Sequence, residues 1–249
     1  MQKLNILLTN DDGYDSVGLQ ETCLALSKLH NVYVVAPNSQ RSACSHGIHF
    51  HSPVEYVKLD DYFGAKIAYI SSGMPADCVK FGLYQLGVKF DLVVSGPNNC
   101  ENYGHDVLYS ATVGGAEEGV VCGVPSVSIS RVKKQGGFGH CVDFLTKNAH
   151  KLVAFYRPNI FLNVNVPPSE EPVKGIKVAK LAGELFDDYF VKSTEHKNVY
   201  HLTGTAYDTL QMGDCDARYA EDGYITLTPM TIVQDVPSLF DEVRELFDD

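Results

Sequence analysis

Strand, helix and strand follow one another within the first 37 residues of this chain, and that alternation constrains its fold more than any other feature. Residues 4–9, LNILLT, form a short apolar run of strand length. Residues 16–29, SVGLQETCLALSKL, carry Val17, Leu19, Leu24, Leu26 and Leu29 as a helical apolar stripe, and Ser16 is placed to cap it. Residues 31–37, NVYVVAP, are a second apolar run that stops at a proline. Two such strands joined through a helix form a parallel pair, because the crossover returns the chain to the end where it started.

The pattern repeats. Strands are predicted at 66–71, 90–96, 125–130 and 159–167, and helices at 75–87, 110–123 and 142–156. Pro75 suits a first helical turn and Asp77 the positive end of the same helix. The fold class is therefore α/β, a mostly parallel sheet with helices on both faces, over residues 1–167. From 168 to 249 the alternation lapses. Strand-like pieces such as GIKVAKL and GYITLTP stand between polar loops, and a last helix is predicted near 237–247. We read this second part as β-hairpins or an extended arm.

In an open parallel sheet, ligands gather beyond the carboxyl ends of the strands. Three loops predicted at that edge carry polar residues: TNDDG after the first strand, PNSQRSACSHG after the second, and SGPNNCENYGHDVLYSAT after the strand at 90. Asp11 and Asp12 stand side by side, and adjacent carboxylates repel unless something positive lies between them. With Ser42 and Asn98 they offer oxygen alone, a donor set that suits magnesium, manganese or calcium better than zinc. Asp11-Asp12-Gly13 taken alone also suits an ordinary turn. A net charge of −11 excludes a protein that grips nucleic acid through a basic surface, and a bound dication would offset that field for an anionic substrate.

Ser110 and Thr112 open a helix of small residues, where free N–H groups can hold phosphate; Ser110 as a simple N-cap is the plainer reading. His46, in the second loop, could donate to a phosphate or protonate a leaving oxygen. His49 and His51 alternate with Ile48 and Phe50 as strand-edge residues would. Arg131, Lys133 and Lys134 precede QGGFG and read as a solvated mobile loop. The seven cysteines have wide spacings without a C-x-x-C pair, which suits a reducing cytoplasm. The apolar part of MQKLNILLTN is too short for a signal peptide, and no run has the length of a membrane span.

In order, ILLTNDDG, VVAPNSQRSACSHGI, SGMPADCVKFGL, DLVVSGPNNCENYGHDVLYSATVGGAEEG, FLNVNVP and DARYAEDGYITLTPM resemble the motifs of the SurE family, the survival protein E metal-dependent nucleotidases. The resemblance implies a Rossmann-like core and a metal-dependent phosphomonoesterase, a 5′- or 3′-nucleotidase acting on nucleoside monophosphates. It implies one divalent cation per subunit, magnesium or manganese, on Asp11, Asp12, Ser42 and Asn98, with Asp11 and Asp12 catalytic. Substrate contacts fall on Asn102, Ser110 and Thr112, with His46 nearby. It also implies a C-terminal extension exchanged between subunits of a homodimer or homotetramer. No stable nucleic acid complex and no membrane association are expected. The chain departs from the family at Ala43 and Ser45, where glycines are usual, and at Pro97, Cys100 and Ala111.

Two other readings stay open on the residues alone. A receiver-like signalling domain also binds magnesium through an acidic pair after its first strand, but it needs a phosphoacceptor Asp where this chain has Ser95-Gly96. Another oxygen-ligand metal hydrolase would share the acidic pair.

Overall fold

The computed structural model describes residues 2–132 and 135–247. Among them, nine strands form one sheet in the order β3-β4-β2-β1-β5-β6-β7-β11-β8. Its centre is parallel: β1 (Asn5–Thr9), β2 (Asn31–Pro37), β4 (Ile67–Ser71), β5 (Leu92–Asn98), β6 (Ser126–Arg131) and β7 (Ile160–Val166). The α/β reading of the sequence holds. β3 (Tyr56–Leu59) adds an antiparallel edge to β4.

Both faces of the sheet are covered, which is why β1 and β2 are apolar runs rather than alternating ones. Ile6 and Leu8 of β1 pack in one cluster with Leu19, Cys23 and Leu26 of α1 (Val17–Ser27) and Phe144, Leu145 and Leu152 of α4 (Gly139–Ala154). Leu7 points the other way, to Cys78 and Val79 of α2 (Pro75–Gln85), while Val113, Ala116 and Val120 of α3 (Ala111–Val121) meet Phe161 of β7. Leucines buried this completely stabilise by about 2–3 kcal/mol each. The apolar stripe expected on α1 is not one face: Val17, Leu24 and Leu29 are exposed, and the buried face carries Gly18, Leu19, Thr22, Cys23 and Leu26. Ser16 stands at the N-cap without a side-chain cap bond; its hydroxyl accepts from Asn10 Nδ2 at 2.7 Å instead.

The chain leaves β1 for β2 and β4 on one side, then crosses back to β5, β6 and β7 on the other. The topological switch therefore lies between β1 and β5, where Thr9 pairs with Ser95.

Two pieces expected in the extension join the main sheet. GYITLTP supplies β11 (Ile225–Thr231), antiparallel to β7, and GIKVAKL supplies β8 (Ile176–Val178), parallel to β11. They cover an edge that β7 would otherwise leave unpaired. A short helix, α5 (Asp216–Glu221), forms where none was expected. Among the described residues only β9 (Phe186–Lys192) and β10 (Tyr200–Ala206) are strands that stand apart, as an exposed antiparallel hairpin. The final helix is α6 (Phe240–Phe247). The segment around His49 and His51 is not a strand; the backbone N–H and the ring of His49 both bond to Asp77, at 3.1 and 2.8 Å.

Candidate functional site

The carboxyl end of β1 runs into a closed turn. Asn10 is buried and its amide donates to the Gly13 carbonyl at 2.9 Å, so the two acidic residues between them are presented on a fixed backbone. Asp11 is 3% exposed. Its carboxylate accepts from the Thr112 hydroxyl, and its carbonyl accepts from the Arg41 N–H at 2.7 Å. Asp12 accepts from the Asn99 N–H at 3.0 Å. Burial pushes the Asp11 carboxyl up to about 6, with the Asp12 charge adding to the rise and the Thr112 bond opposing it. Burial also raises Asp12, against the pull of Asn99 and Arg131.

The loop after β5 supplies the opposite wall. Gly96 sits at φ +118°, and a Cβ there would lie 2.2 Å from the Ile129 carbonyl, so the SGPN turn needs its glycine. Asn98 is buried and its amide nitrogen donates to the carbonyl and sulfur of Cys100, at 2.9 and 3.4 Å. The amide oxygen Oδ1 therefore faces away from Cys100.

The second loop lies directly on α3. A Cβ on Gly114 would come within 2.5 Å of the Ser45 carbonyl and 2.8 Å of the His46 Cα. Ser45 bonds the Tyr109 carbonyl through its N–H (3.0 Å) and the Leu108 carbonyl through its hydroxyl (2.7 Å). Ala43 and Ser45 hold φ of 57° and 52°, the left-handed region that favours glycine. His46 lies between Glu117 (3.2 Å) and Glu118 (2.8 Å), and these carboxylates push its imidazole up to about 9. Glu118 also holds Lys80, at 2.6 Å. Ser42 is exposed one residue beyond the Arg41–Asp11 bond, and its hydroxyl accepts from Gln40.

At the start of α3 the Ser110 hydroxyl accepts from the Val113 N–H at 3.1 Å, as an N-cap does, and the Ser110 carbonyl takes the Gly114 N–H. The N–H groups of Ala111 and Thr112 are then the ones a helix start offers to a ligand. Asn102 is buried, with its amide on Ser130 at 2.8 Å.

The structure thus brings Asp11, Asp12, Thr112 and the Asn98–Asn99 turn together, and it takes His46 to the carboxylates of α3. Thr112 meets Asp11 rather than open solvent. Sequence reasoning missed Asn99 and misjudged Arg131. That guanidinium is 2% exposed, bonds the carbonyl and side-chain oxygen of Asn99, and lies 4.6 Å over the Phe138 ring. Lys133 and Lys134 lie outside the described residues. One signal was present: SVSISR alternates as a strand through Arg131 rather than ending before it.

Among the described residues no three His, Cys, Asp or Glu side chains gather to hold a metal ion, so a cation here needs neutral oxygens beside the Asp pair. The donor set fits that demand. Two neighbouring carboxylates are desolvated together, and the Asn98 amide has its nitrogen engaged and its oxygen turned away, the hard-oxygen chemistry of a magnesium or manganese site.

Comparison with known proteins identifies the family. The family model described as Survival protein SurE matches residues 6–188. A protein named 5′-nucleotidase SurE from Clostridium beijerinckii is 35% identical over 255 residues, which cover 96% of this chain and 100% of that one. Its namesake from Fervidobacterium nodosum is 36% identical over 258 residues, covering 99% and 98%. The crystal structure of the SurE protein from Aquifex aeolicus superposes with a TM-score of 0.85 at 30% identity, over 98% of this chain and 100% of that one.

Proposed function

The chain belongs to the survival protein SurE family, it is a 5′-nucleotidase, and we propose that it hydrolyses nucleoside monophosphates at one divalent cation held by Asp11, Asp12, Ser42 and Asn98. A cation bound there supplies Lewis-acid polarisation of the phosphoryl group and a nucleophile at neutral pH. Asp11 and Asp12 orient the attacking water on the side of phosphorus opposite the ester oxygen. The P–O bond to the nucleoside breaks as the bond to water forms. The proton that water loses balances the one the nucleoside oxygen gains. The phosphoryl oxygens rest on the N–H groups of Ala111 and Thr112, the Ser110 hydroxyl and the Asn102 amide, donors fixed before the reaction begins. Thr112 holds Asp11 through its hydroxyl. His46 serves this site at one remove, pinning the loop that carries Ser42 onto α3.

The observation that carries the proposal is the Thr112–Asp11 hydrogen bond, which joins the first turn of the phosphate-binding helix to the acidic pair. A receiver-like domain is not favoured, because β5 carries Ser95-Gly96 where that class needs a phosphoacceptor Asp.

We place the active form as a homodimer or a pair of homodimers. The hairpin exposes Phe190, Val191, Tyr200 and Leu202, and α6 exposes Val243, Leu246 and Phe247; a neighbouring subunit would cover them. Among the described residues no helix is long and apolar enough to cross a membrane. The seven cysteines are free thiols, which supports a cytoplasmic setting.

The deciding experiment measures phosphate release from AMP with magnesium or manganese, and again after chelation. Activity that returns only with added dication supports the proposal. Full activity in chelator with stripped protein refutes the metal assignment.

A further inference from the structure

Strands buried on both faces are normally apolar throughout. β6 and β7 break that rule in register. Ser128 and Ser130 of β6 pair with Asn163 and Asn165 of β7, and all four side chains are inaccessible to solvent. Ser130 also pairs with Asn98 at the end of β5, so the polar row runs under the loop that holds Asn98, Asn99 and Asn102.

The bonds of this row converge on one residue. Asn165 accepts the Asn102 N–H through Oδ1 at 2.9 Å and donates through Nδ2 to the Asn102 carbonyl, also at 2.9 Å. Asn163 donates to the same carbonyl at 2.7 Å, while its own oxygen takes the Ser128 hydroxyl at 2.8 Å. The Asn102 side-chain nitrogen donates to the Ser130 hydroxyl at 2.8 Å. The N–H, the carbonyl and the amide of Asn102 are thus all held from beneath. An amide nitrogen has two hydrogens, so one remains for a ligand, in a direction set by the bond to Ser130.

We infer that Ser130, Asn163 and Asn165 are positioning residues for the reaction, clamping Asn102 so that its free amide hydrogen is aimed at the phosphoryl group. The inference rests on the assignment of Asn102 to the phosphate site above. It also accounts for polar residues where valine or leucine would pack the strands without hydrogen-bond demands.

The test compares wild type with Asn102→Ala, Asn165→Leu, Ser130→Ala and the double variant Asn102→Ala/Asn165→Leu. The readouts are the inhibition constant of inorganic phosphate, KM and kcat for a nucleoside monophosphate, and Mn2+ binding without substrate by electron paramagnetic resonance. Asn102→Ala and Asn165→Leu should each raise the phosphate constant and KM about tenfold, the scale of one hydrogen bond, with Mn2+ affinity within about threefold of wild type. The double variant should be no worse than about threefold beyond the weaker single, because both act through one amide. Ser130→Ala deletes one oxygen and keeps the strand, so it tests the clamp even if Asn165→Leu fails to fold; it should raise the phosphate constant about threefold. A folded Ser130→Ala at the wild-type constant, or effects that multiply in the double variant, would overturn the clamp while leaving Asn102 in the site. An Asn102→Ala protein that binds phosphate normally would overturn the assignment of Asn102, and the clamp with it.

Discussion

Replacing His46 by glutamine should remove a pH-dependent share of stability, and the structure sets both its size and its sign. The imidazole lies 3.2 Å from Glu117 and 2.8 Å from Glu118, which raise it from 6.5 to about 9. A folded-state value above the unfolded one means that the stabilisation is complete below about pH 6.5 and is lost as the pH climbs through about 9. Taken whole, that difference corresponds to about 3.4 kcal/mol. The side chain is 30% exposed, so solvent screens the pair, and about 1.5 kcal/mol is the figure to test. Glu118 keeps its Lys80 partner in the variant, so the substitution does not strand a buried carboxylate. In a chain of this length 1.5 kcal/mol moves the melting temperature by about 3–6 °C. Melting of both proteins should be followed by circular dichroism from pH 6 to pH 9.5. The gap should be about 3–6 °C at pH 6 and nearly closed at pH 9.5. A gap that stays constant across the range, or none at pH 6, would refute the charge-pair account, because other titrating groups are common to both proteins.

Asp12→Asn should abolish most phosphatase activity and weaken Mn2+ binding by calorimetry while the far-UV spectrum stays native; near-native activity at limiting manganese would remove Asp12 from the ligand set. Thr112→Val should lower kcat/KM about tenfold by releasing the Asp11 carboxylate, and Thr112→Ser should restore it; a fully active valine variant would show that the bond to Asp11 is dispensable. Ala43→Gly should raise stability in urea by about 1 kcal/mol, since alanine is held at φ 57°, whereas Ala116→Gly inside α3 should lower it by about the same amount. Light scattering should give a dimer or tetramer mass at micromolar concentration, and deletion of residues 184–216 should give monomers or insoluble protein; a deletion variant that stayed dimeric would place the interface elsewhere.

The central sheet was legible because a strand buried on both faces leaves a short unbroken apolar run, and LNILLT, NVYVVAP and FDLVVSG are such runs. The converging loops were legible for a topological reason: parallel strands deliver their carboxyl ends to one edge. What a run of residues does not reveal is which partner it pairs with. GYITLTP reads equally well as half of a hairpin or as a sheet edge, and only the open flank of β7 decides, a contact between residues distant in sequence, such as Thr226 with Asn165 and Thr231 with Ile160. The stripe on α1 failed for a geometric reason. With 3.6 residues per turn, Val17 and Leu24 point away from Leu19 and Leu26, and the face that is buried carries Gly18, Leu19, Thr22, Cys23 and Leu26.

Arg131 shows where local reading of charge breaks down. An arginine before two lysines and a glycine-rich stretch has the composition of a solvated loop. Its fate is set by the strand that precedes it: Ser126, Ser128 and Ser130 take one face of β6, so Arg131 takes the other, above Phe138 of the α4 side. There a guanidinium would be costly to bury unless its donors were met and an opposite charge stood near. Asn99 accepts hydrogen bonds from its Nη2 through both the carbonyl and the side-chain oxygen, and Asp12 lies within its field. A chain of net charge −11 thus sets a buried cation near its acidic pair and gathers two more, His46 and Lys80, on Glu118 beside the second loop. Each cation is held by a group that also shapes a wall of the site. The acidic surface of the protein and an anionic substrate are therefore compatible: the local charge balance, and not the net charge, sets the field that a phosphate meets.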